Sequence, residues 1–495
     1  MTSRRKTFSL LKTPSALVAA AALAVVVGVA MPAQAASPTD NRFVATELGA
    51  QAASPTDDRF VATEVPDSPA GRQLQWLIDA SARLPLSEGE LRAHFAKELL
   101  AMPGLSPAET NKGFGLLFGS SGIQLRGLVA VEPRALVAVV TGATGNELVV
   151  TLVVDRKGFI GFPTGITAAS TAPAVALPTP SGREAVGTDV VSLVDRARGG
   201  RRLMLTRWYP AVASSRNKPR AAYASPRLRA VLGLPRVRVH ARLGSRPLPG
   251  RLPVVLFSPG LNGPRVLYQA LAEDLASHGY LVVAVDHTGE APVELPDGRV
   301  ELPTSWTHPP KAATFEASLR ESQATRVLDL RLILRSLGVA SKGPRPDLGR
   351  VASMGHSFGG STSAALMRIE PRILAGIDLD GSIFGAAAKR GVPRAFLIIG
   401  TGGRDSSTRG LLEHSSGPRL ELSIKGLVHG SFSDLPVVSP GAVSVGKWRA
   451  SAKDIVMQRV YVRAFLDRYV RGLPSPLLDG PSPRFPRVTF TYRGL

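Results

Sequence analysis

The stretch VASMGHSFGGSTSAAL, residues 351–366, runs from a short apolar segment through Gly355-His356-Ser357-Phe358-Gly359 into an alanine-rich segment. Its order is strand, sharp turn, helix, and the pattern G-x-S-x-G falls on the turn. Small residues on both flanks let strand and helix approach closely and leave the serine hydroxyl at the apex. Ser357 is thereby a candidate nucleophile. A serine in an ordinary glycine-rich turn could carry the same pentapeptide, but it would need neither the buried strand before it nor the helix after it.

Working outward, apolar runs without polar interruption recur at PVVLFS (253–258), YLVVAVDH (280–287), AGIDLDG (375–381) and AFLIIGT (395–401). Helical patterns separate them, around 267–277, 325–337 and after Gly360. Such runs are expected of parallel strands buried on both faces by crossover helices. The stretch VSLVDRARGGRRLMLTRWYP (191–210) is predicted to add two antiparallel strands at the sheet edge. These elements describe an α/β-hydrolase fold over about 184–495.

A serine hydroxyl near neutral pH needs an imidazole to take its proton and an acid to orient that imidazole. In this fold the chain order is Ser, then Asp or Glu, then His. Of the eight histidines, His94, His240, His278, His287, His308 and His356 precede or belong to the turn, leaving His414 and His429. His429 follows the strand-like RLELSIKGLV and stands in the loop HGSFSD, so it is the candidate base; His414, in LLEHSS, is expected at the surface. Two acids stay open on pattern alone, Asp380 at the end of GIDL and Asp405 after the next strand, while Asp378 lies deeper on Asp380's side of the strand. The oxyanion of a tetrahedral intermediate needs two backbone N–H donors. One comes from the residue after the nucleophile, Phe358, and the other from the loop FSPGLNGPR, where Pro259 has no N–H and Leu261 is the candidate.

The segments FSPGLNGPRVLYQALAEDLASHGYLVVAVDHTGEAPVELPDGR, GHSFGG, GIDLDGSIF and VHGSFSD, in that order, resemble the plasma-type platelet-activating factor acetylhydrolase family and its exported bacterial relatives. The resemblance runs from about Thr179 to the C-terminus. It implies Ser357 as nucleophile, Asp380 as acid, His429 as base, and Leu261 and Phe358 as oxyanion donors, favouring Asp380 over Asp405. The sequence departs from the family at Ser-Pro-Gly in place of Ser-His-Gly, and in the Gly-Ser-Ile-Phe that follows Asp380. The implied activity is a metal- and cofactor-independent serine esterase or lipase acting on lipid or short-acyl esters. A cutinase-like polyester hydrolase, an acyltransferase and a peptidase share the same machinery, and a catalytically inactive, wall-associated binding protein is the alternative of another class.

Upstream, Gly71–Ala82 and Ser87–Met102 carry apolar residues at helical spacing, and Ser87 with Glu90 has the form of a capping box. The following stretch, 125–162, reads as three or four strands with turns at Gly142–Gly145 and Arg156–Gly158. A small α+β domain over 68–165 is expected, with a diffuse resemblance to the cystatin-like or steroid-isomerase-like domains that precede serine hydrolases in some exported bacterial proteins. Residues 166–183, rich in Ala, Thr and Pro, read as a linker.

The beginning of the chain reads as an export signal (1–36): Arg4, Arg5 and Lys6, an apolar stretch from Ala16 to Met31, then Ala33-Gln34-Ala35. Ser3-Arg4-Arg5-Lys6-Thr7-Phe8 also resembles a twin-arginine signal with Phe8 one place late, so the export route stays open. AQAASPTDNRFVATELG, from Ala33, recurs as AQAASPTDDRFVATEVP, from Ala50, so the segment 37–67 reads as a disordered tandem duplication with a second possible cleavage site. The chain has no cysteine, which excludes thiol chemistry and makes its stability a matter of packing. A net charge of +22 without a zinc finger, basic zipper or aromatic RNA motif argues against nucleic acid and leaves two readings open, an anionic wall or lipid surface as partner and a solvated basic surface that reflects composition alone.

Overall fold

The computed structural model describes residues 59–101, 105–118, 122–142, 145–161, 165–168, 174–304, 315–339, 343–402, 406–444 and 447–494. The export signal, most of the duplicated segment and Asp405 lie outside the described residues.

The first unit begins with helices α1 (Pro69–Ser81), α2 (Glu88–His94) and α3 (Pro107–Phe118). Ser87 caps α2 by accepting from Glu90 N at 3.1 Å. The Glu90 carboxylate turns instead to Arg83 at 2.8 Å, so only half of the expected capping box forms. The helix expected to continue to Met102 stops at Phe95, whose extended backbone is followed by a short separate turn, Lys97–Leu100. An antiparallel sheet follows: β1 (Gln124–Glu132), β2 (Ala135–Thr141), β3 (Glu147–Val153) and β4 (Gly165–Ala168), paired in that order. The segment read as a linker therefore contributes β4 at its start, and its Val175–Ala176 pairs with Val237–Arg238.

Two antiparallel strands, β5 (Ala185–Asp195) and β6 (Arg201–Ala211), lead into the larger sheet. After α4 (Pro226–Leu232) come β7 (Leu252–Ser258), α5 (Gln269–Ser277), β8 (Leu281–Asp286), α6 (Phe315–Val339), β9 (Pro346–His356) and α7 (Phe358–Ile369). Then follow β10 (Ile373–Leu379), α8 (Gly385–Arg390), β11 (Ala395–Gly400), α9 (Ser406–His414), β12 (Arg419–Ile424), α10 (Ala452–Arg471) and β13 (Val488–Gly494). The sheet order is β13-β12-β11-β10-β9-β7-β8-β6-β5, parallel from β12 through β8 and antiparallel at both margins.

The uninterrupted apolar runs explain this layering. Val255 and Phe257 of β7, with Ala352 and Met354 of β9, face Leu275 of α5 and Tyr461 and Phe465 of α10. Their alternating neighbours Val254, Leu256 and Val351 face Ile333 and Leu334 of α6 and Leu366 of α7. Both faces are dry, so every residue of β7 is buried. This is the α/β-hydrolase fold, with an additional unit before it. That unit's sheet packs Val129, Val137 and Val149 against Leu228 and Val231 of α4 and against Val300 and Leu302, in the hairpin after β8.

Candidate active site

The parallel strands end along one edge, and the chemistry-bearing residues collect there. β9 stops at His356, and Ser357 turns the chain into α7 with φ 55° and ψ −122°. That region is disfavoured for any residue with a side chain, costing about 1–3 kcal/mol, and such strain persists only where the surroundings impose it. Here the surroundings are backbone. A Cβ at position 359 would lie 1.9 Å from the carbonyl oxygen of Ser258, and one at 355 would lie 2.5 Å from the same atom. Only glycine at both flanks allows β7, β9 and α7 to meet, and the Ser357 N–H is tied to Leu379 O at 2.8 Å.

Asp380, next after β10, is also in a left-handed conformation (φ 57°), with its N–H on Ile399 O at 2.7 Å. Its carboxylate is shared: Oδ1 accepts from Thr401 N at 2.8 Å and Thr401 Oγ1 at 3.2 Å, and Oδ2 meets His429 Nδ1 at 2.8 Å. Asp380, one of the two acids open on pattern, is joined to His429, while Asp405 lies outside the described residues. Asp378 is fully buried and accepts from Gly381 N at 3.2 Å, bracing the turn from below. His414 is exposed on α9, away from this group.

The loop carrying His429 is fastened on two sides. Gln458 of α10 donates to Ser431 O at 2.6 Å. Asp434 accepts from Gln269 N and Ala270 N, at 2.9 and 3.1 Å, at the start of α5, and from the Tyr223 hydroxyl at 3.0 Å. Burial pushes the Asp434 carboxyl up to about 7.

His356, a spacer in the sequence pattern, links the base loop to the oxyanion loop. Its Nε2 donates to His429 O at 2.9 Å and its Nδ1 accepts from the Tyr268 hydroxyl at 3.0 Å, while that hydroxyl accepts from Gly260 N at 3.2 Å. Burial, with the nearby His429, holds the His356 imidazole well below the ordinary histidine range and keeps it neutral, as this pattern of donors and acceptors requires. A Cβ on Gly260 would stand 3.5 Å from Ser357 Cβ, so the oxyanion loop lies against the nucleophile. Among the described residues neither Leu261 N–H nor Phe358 N–H has a hydrogen-bond partner, and the Ser357 hydroxyl makes no hydrogen bond. An oxyanion receptor requires backbone donors left unpaired in this way.

A second Ser–His–Asp series lies deeper. Ser258 Oγ meets His287 Nε2 at 2.9 Å, and His287 Nδ1 meets Asp329 Oδ2 at 2.9 Å. Ser258 and Asp329 are 0% exposed, so no substrate can reach them. Burial raises the Asp329 carboxyl, but hydrogen bonds from His287 and Arg201 outweigh it and hold the group below the usual carboxylate range. This array ties β7, β8 and α6 to the edge strands, through Asp329 pairs with Arg198 and Arg201 at 2.7 and 2.8 Å.

The comparisons with known proteins bear on the family and the class of reaction. Residues 226–293 and 344–469 match the family described as platelet-activating factor acetylhydrolase, isoform II, and these ranges contain Leu261, Ser357, Phe358, Asp380 and His429. A solved ferulic acid esterase from Streptomyces cinnamoneus is 35% identical with a TM-score of 0.57, over 65% of this chain and 100% of that one. The chain belongs to the platelet-activating factor acetylhydrolase-like family of α/β hydrolases. It is a carboxylic-ester hydrolase. A probable 1-alkyl-2-acetylglycerophosphocholine esterase of Arthroderma benhamiae is 29% identical over 63% of this chain and 93% of its own length. The platelet-activating factor acetylhydrolase of Cavia porcellus is 28% identical over 37% of this chain and 49% of its own. Residues 65–160 match a different family, described as ORF 12 gene product N-terminal.

Proposed function

We propose that the protein is an exported serine esterase that works through an acyl-enzyme, with Ser357 as nucleophile, His429 as base and Asp380 as the orienting acid. The observation that carries this reading is the 2.8 Å hydrogen bond from His429 to Asp380, beside a serine held in a strained turn. His429 Nε2 takes the Ser357 proton as Oγ attacks the ester carbonyl. The oxyanion is received by Leu261 N–H and Phe358 N–H, and His429 then gives the proton to the leaving alcohol. Water repeats the sequence on the acyl-enzyme. Asp380 keeps the Nδ1 proton in place, so that Nε2 is free to act as base, and stabilises the imidazolium that forms.

Short-acyl esters, including those of lipids, are the substrates this reading favours. Esters of an aromatic acid form a second reading, supported by Phe384, which is half-buried and edge-on to Phe358 with ring centroids 5.8 Å apart. A stopped-flow burst with p-nitrophenyl acetate, repeated with p-nitrophenyl ferulate, tests the mechanism and ranks the acyl groups. A burst of one equivalent that vanishes in Ser357→Ala is expected; steady turnover by Ser357→Ala contradicts the reading. The segment 212–251 holds ten Lys and Arg and no acid, which supports adhesion to an anionic surface. Salt-sensitive retention on anionic but not neutral vesicles is the expected behaviour, and salt-independent retention contradicts it.

A further inference from the structure

We propose that Arg326 is the positioning residue of the oxyanion hole: it sets the direction of the Leu261 N–H and supports the Phe358 N–H at the same time. This rests on the site reading above.

Arg326 is on α6 and is 1% exposed, so its guanidinium has no water to compensate for lost partners. Its N–H groups reach Glu290, two carbonyls of the oxyanion loop and, at 3.4 Å from Nη1, the Ser258 hydroxyl. Nε donates to Glu290 Oε1 and Oε2, at 3.0 and 2.9 Å, and Nη2 also pairs with Glu290. On the other side, Nη1 donates to Pro259 O at 2.6 Å and Nη2 to Gly260 O at 3.1 Å. The flat face of the guanidinium lies over the Phe358 ring, with Cζ 4.8 Å from its centroid.

In a trans peptide the C=O and the following N–H are antiparallel in one plane. Whatever grips Gly260 O therefore aims Leu261 N–H the opposite way. Gly260 O is gripped twice, by Arg326 Nη2 and by Gly263 N at 3.0 Å, and the Leu261 N–H of that same plane is left without a partner. The preceding plane is fixed at both ends, its carbonyl on Arg326 and its N–H on the Tyr268 hydroxyl. One planar fork thus orients the loop bearing one donor and packs on the ring of the residue whose backbone bears the other. Lysine offers a point charge without the fork, so it cannot hold two carbonyls and a carboxylate in one plane. Glu290 neutralises the buried cation and fixes its rotation, and it belongs to the loop that continues into the hairpin braced by Val300 and Leu302.

The test uses the full chain with Arg326→Lys and Glu290→Gln, each normalised by active-site titration. Deleting a single oxyanion donor costs about 10²–10³ in kcat, so misaiming one in Arg326→Lys is expected to cost roughly 10–10² in kcat, with KM within about threefold. Binding of a trifluoromethyl ketone transition-state analogue should weaken in step with kcat, an effect that a merely structural role would not produce. Glu290→Gln retains both carbonyl contacts and is expected to lose kcat by about three- to tenfold with the same KM behaviour, which keeps the proposal testable if Arg326→Lys folds poorly. Unchanged kcat per titrated site in both variants, or a loss carried by KM with analogue affinity intact, overturns the proposal. Turnover by Ser357→Ala would instead overturn the site reading itself.

Discussion

Replacing Asp380 by asparagine should nearly abolish turnover while leaving the fold intact, and the hydrogen bonds around the carboxylate say why. Oδ1 accepts from Thr401 N at 2.8 Å, and Oδ2 faces His429 Nδ1 at 2.8 Å. An asparagine must keep its oxygen toward the Thr401 N–H, since two facing donors would repel, and this turns its NH₂ toward His429. Nδ1 is then forced to accept, the ring proton moves to Nε2, and the nitrogen that has to take the Ser357 proton in the proposed mechanism no longer has a lone pair to offer. The same tautomer error in a Ser-His-Asp protease costs about 10⁴ in kcat. For Asp380→Asn we expect a loss of about 10³–10⁴, equivalent to roughly 4–5.5 kcal/mol in the barrier, with KM little changed. Initial rates on p-nitrophenyl acetate, with a melting curve alongside, measure it. A loss below about tenfold in a variant that melts like the wild type would refute the reasoning. Thr401→Val, which keeps the backbone donor and removes only the 3.2 Å hydroxyl contact, should cost no more than a few-fold.

Gly359→Ala drives a methyl to 1.9 Å from Ser258 O and is expected to destabilise the fold by more than about 3 kcal/mol, read as a lowered urea midpoint; a midpoint within error of wild type would contradict the packing described. Leu302→Ala, in the contact between the first unit's sheet and the hairpin, should cost about 2–4 kcal/mol by the same measurement. Asp434 supplies a pH dependence. Its carboxyl is pushed up to about 7 by burial, whereas an unfolded aspartate ionises near 4, so between about pH 4 and 7 the folded state holds a proton that the unfolded state has released, and stability from this group falls as pH rises. Buried histidines such as His287 and His356, held below their usual range, act in the opposite direction below about pH 6.5, so the readable quantity is a difference. The Tm of Asp434→Asn minus that of wild type should grow from pH 5 to pH 8, and a constant gap would contradict the buried acid.

Much of the large sheet is legible in the sequence because strands buried on both faces cannot afford polar residues. PVVLFS and AFLIIG announce themselves, and the glycines around Ser357 fall where a Cβ would come within 1.9 to 2.5 Å of the Ser258 carbonyl oxygen. Chain order singles out His429 because the fold fixes where each strand ends. Pattern alone leaves Asp380 and Asp405 open, since both follow strands at the same edge; the Nδ1 contact that joins Asp380 to His429 is a tertiary fact. The positioning groups are less readable still. Tyr268, Glu290 and Arg326 sit on three different elements, and no local pattern signals that they meet; His356 is read as a spacer because its partners lie 88 and 73 residues away. Locally, the Ser87 cap is visible but its reciprocal half is not, because Arg83 offers Glu90 a charged partner. The helix break at Phe95 arises from pairing with the turn after β3, where Ala96 N bonds Ile160 O at 2.8 Å, a contact 64 residues distant that no local pattern encodes.

The most direct test of the account is covalent labelling with a fluorophosphonate, followed by peptide mass spectrometry on the full chain. A single adduct on the peptide containing Ser357, lost in Ser357→Ala and formed far more slowly in His429→Ala, is the predicted result. An unlabelled wild type, or an adduct on Ser258 with its buried His287 and Asp329, would contradict it.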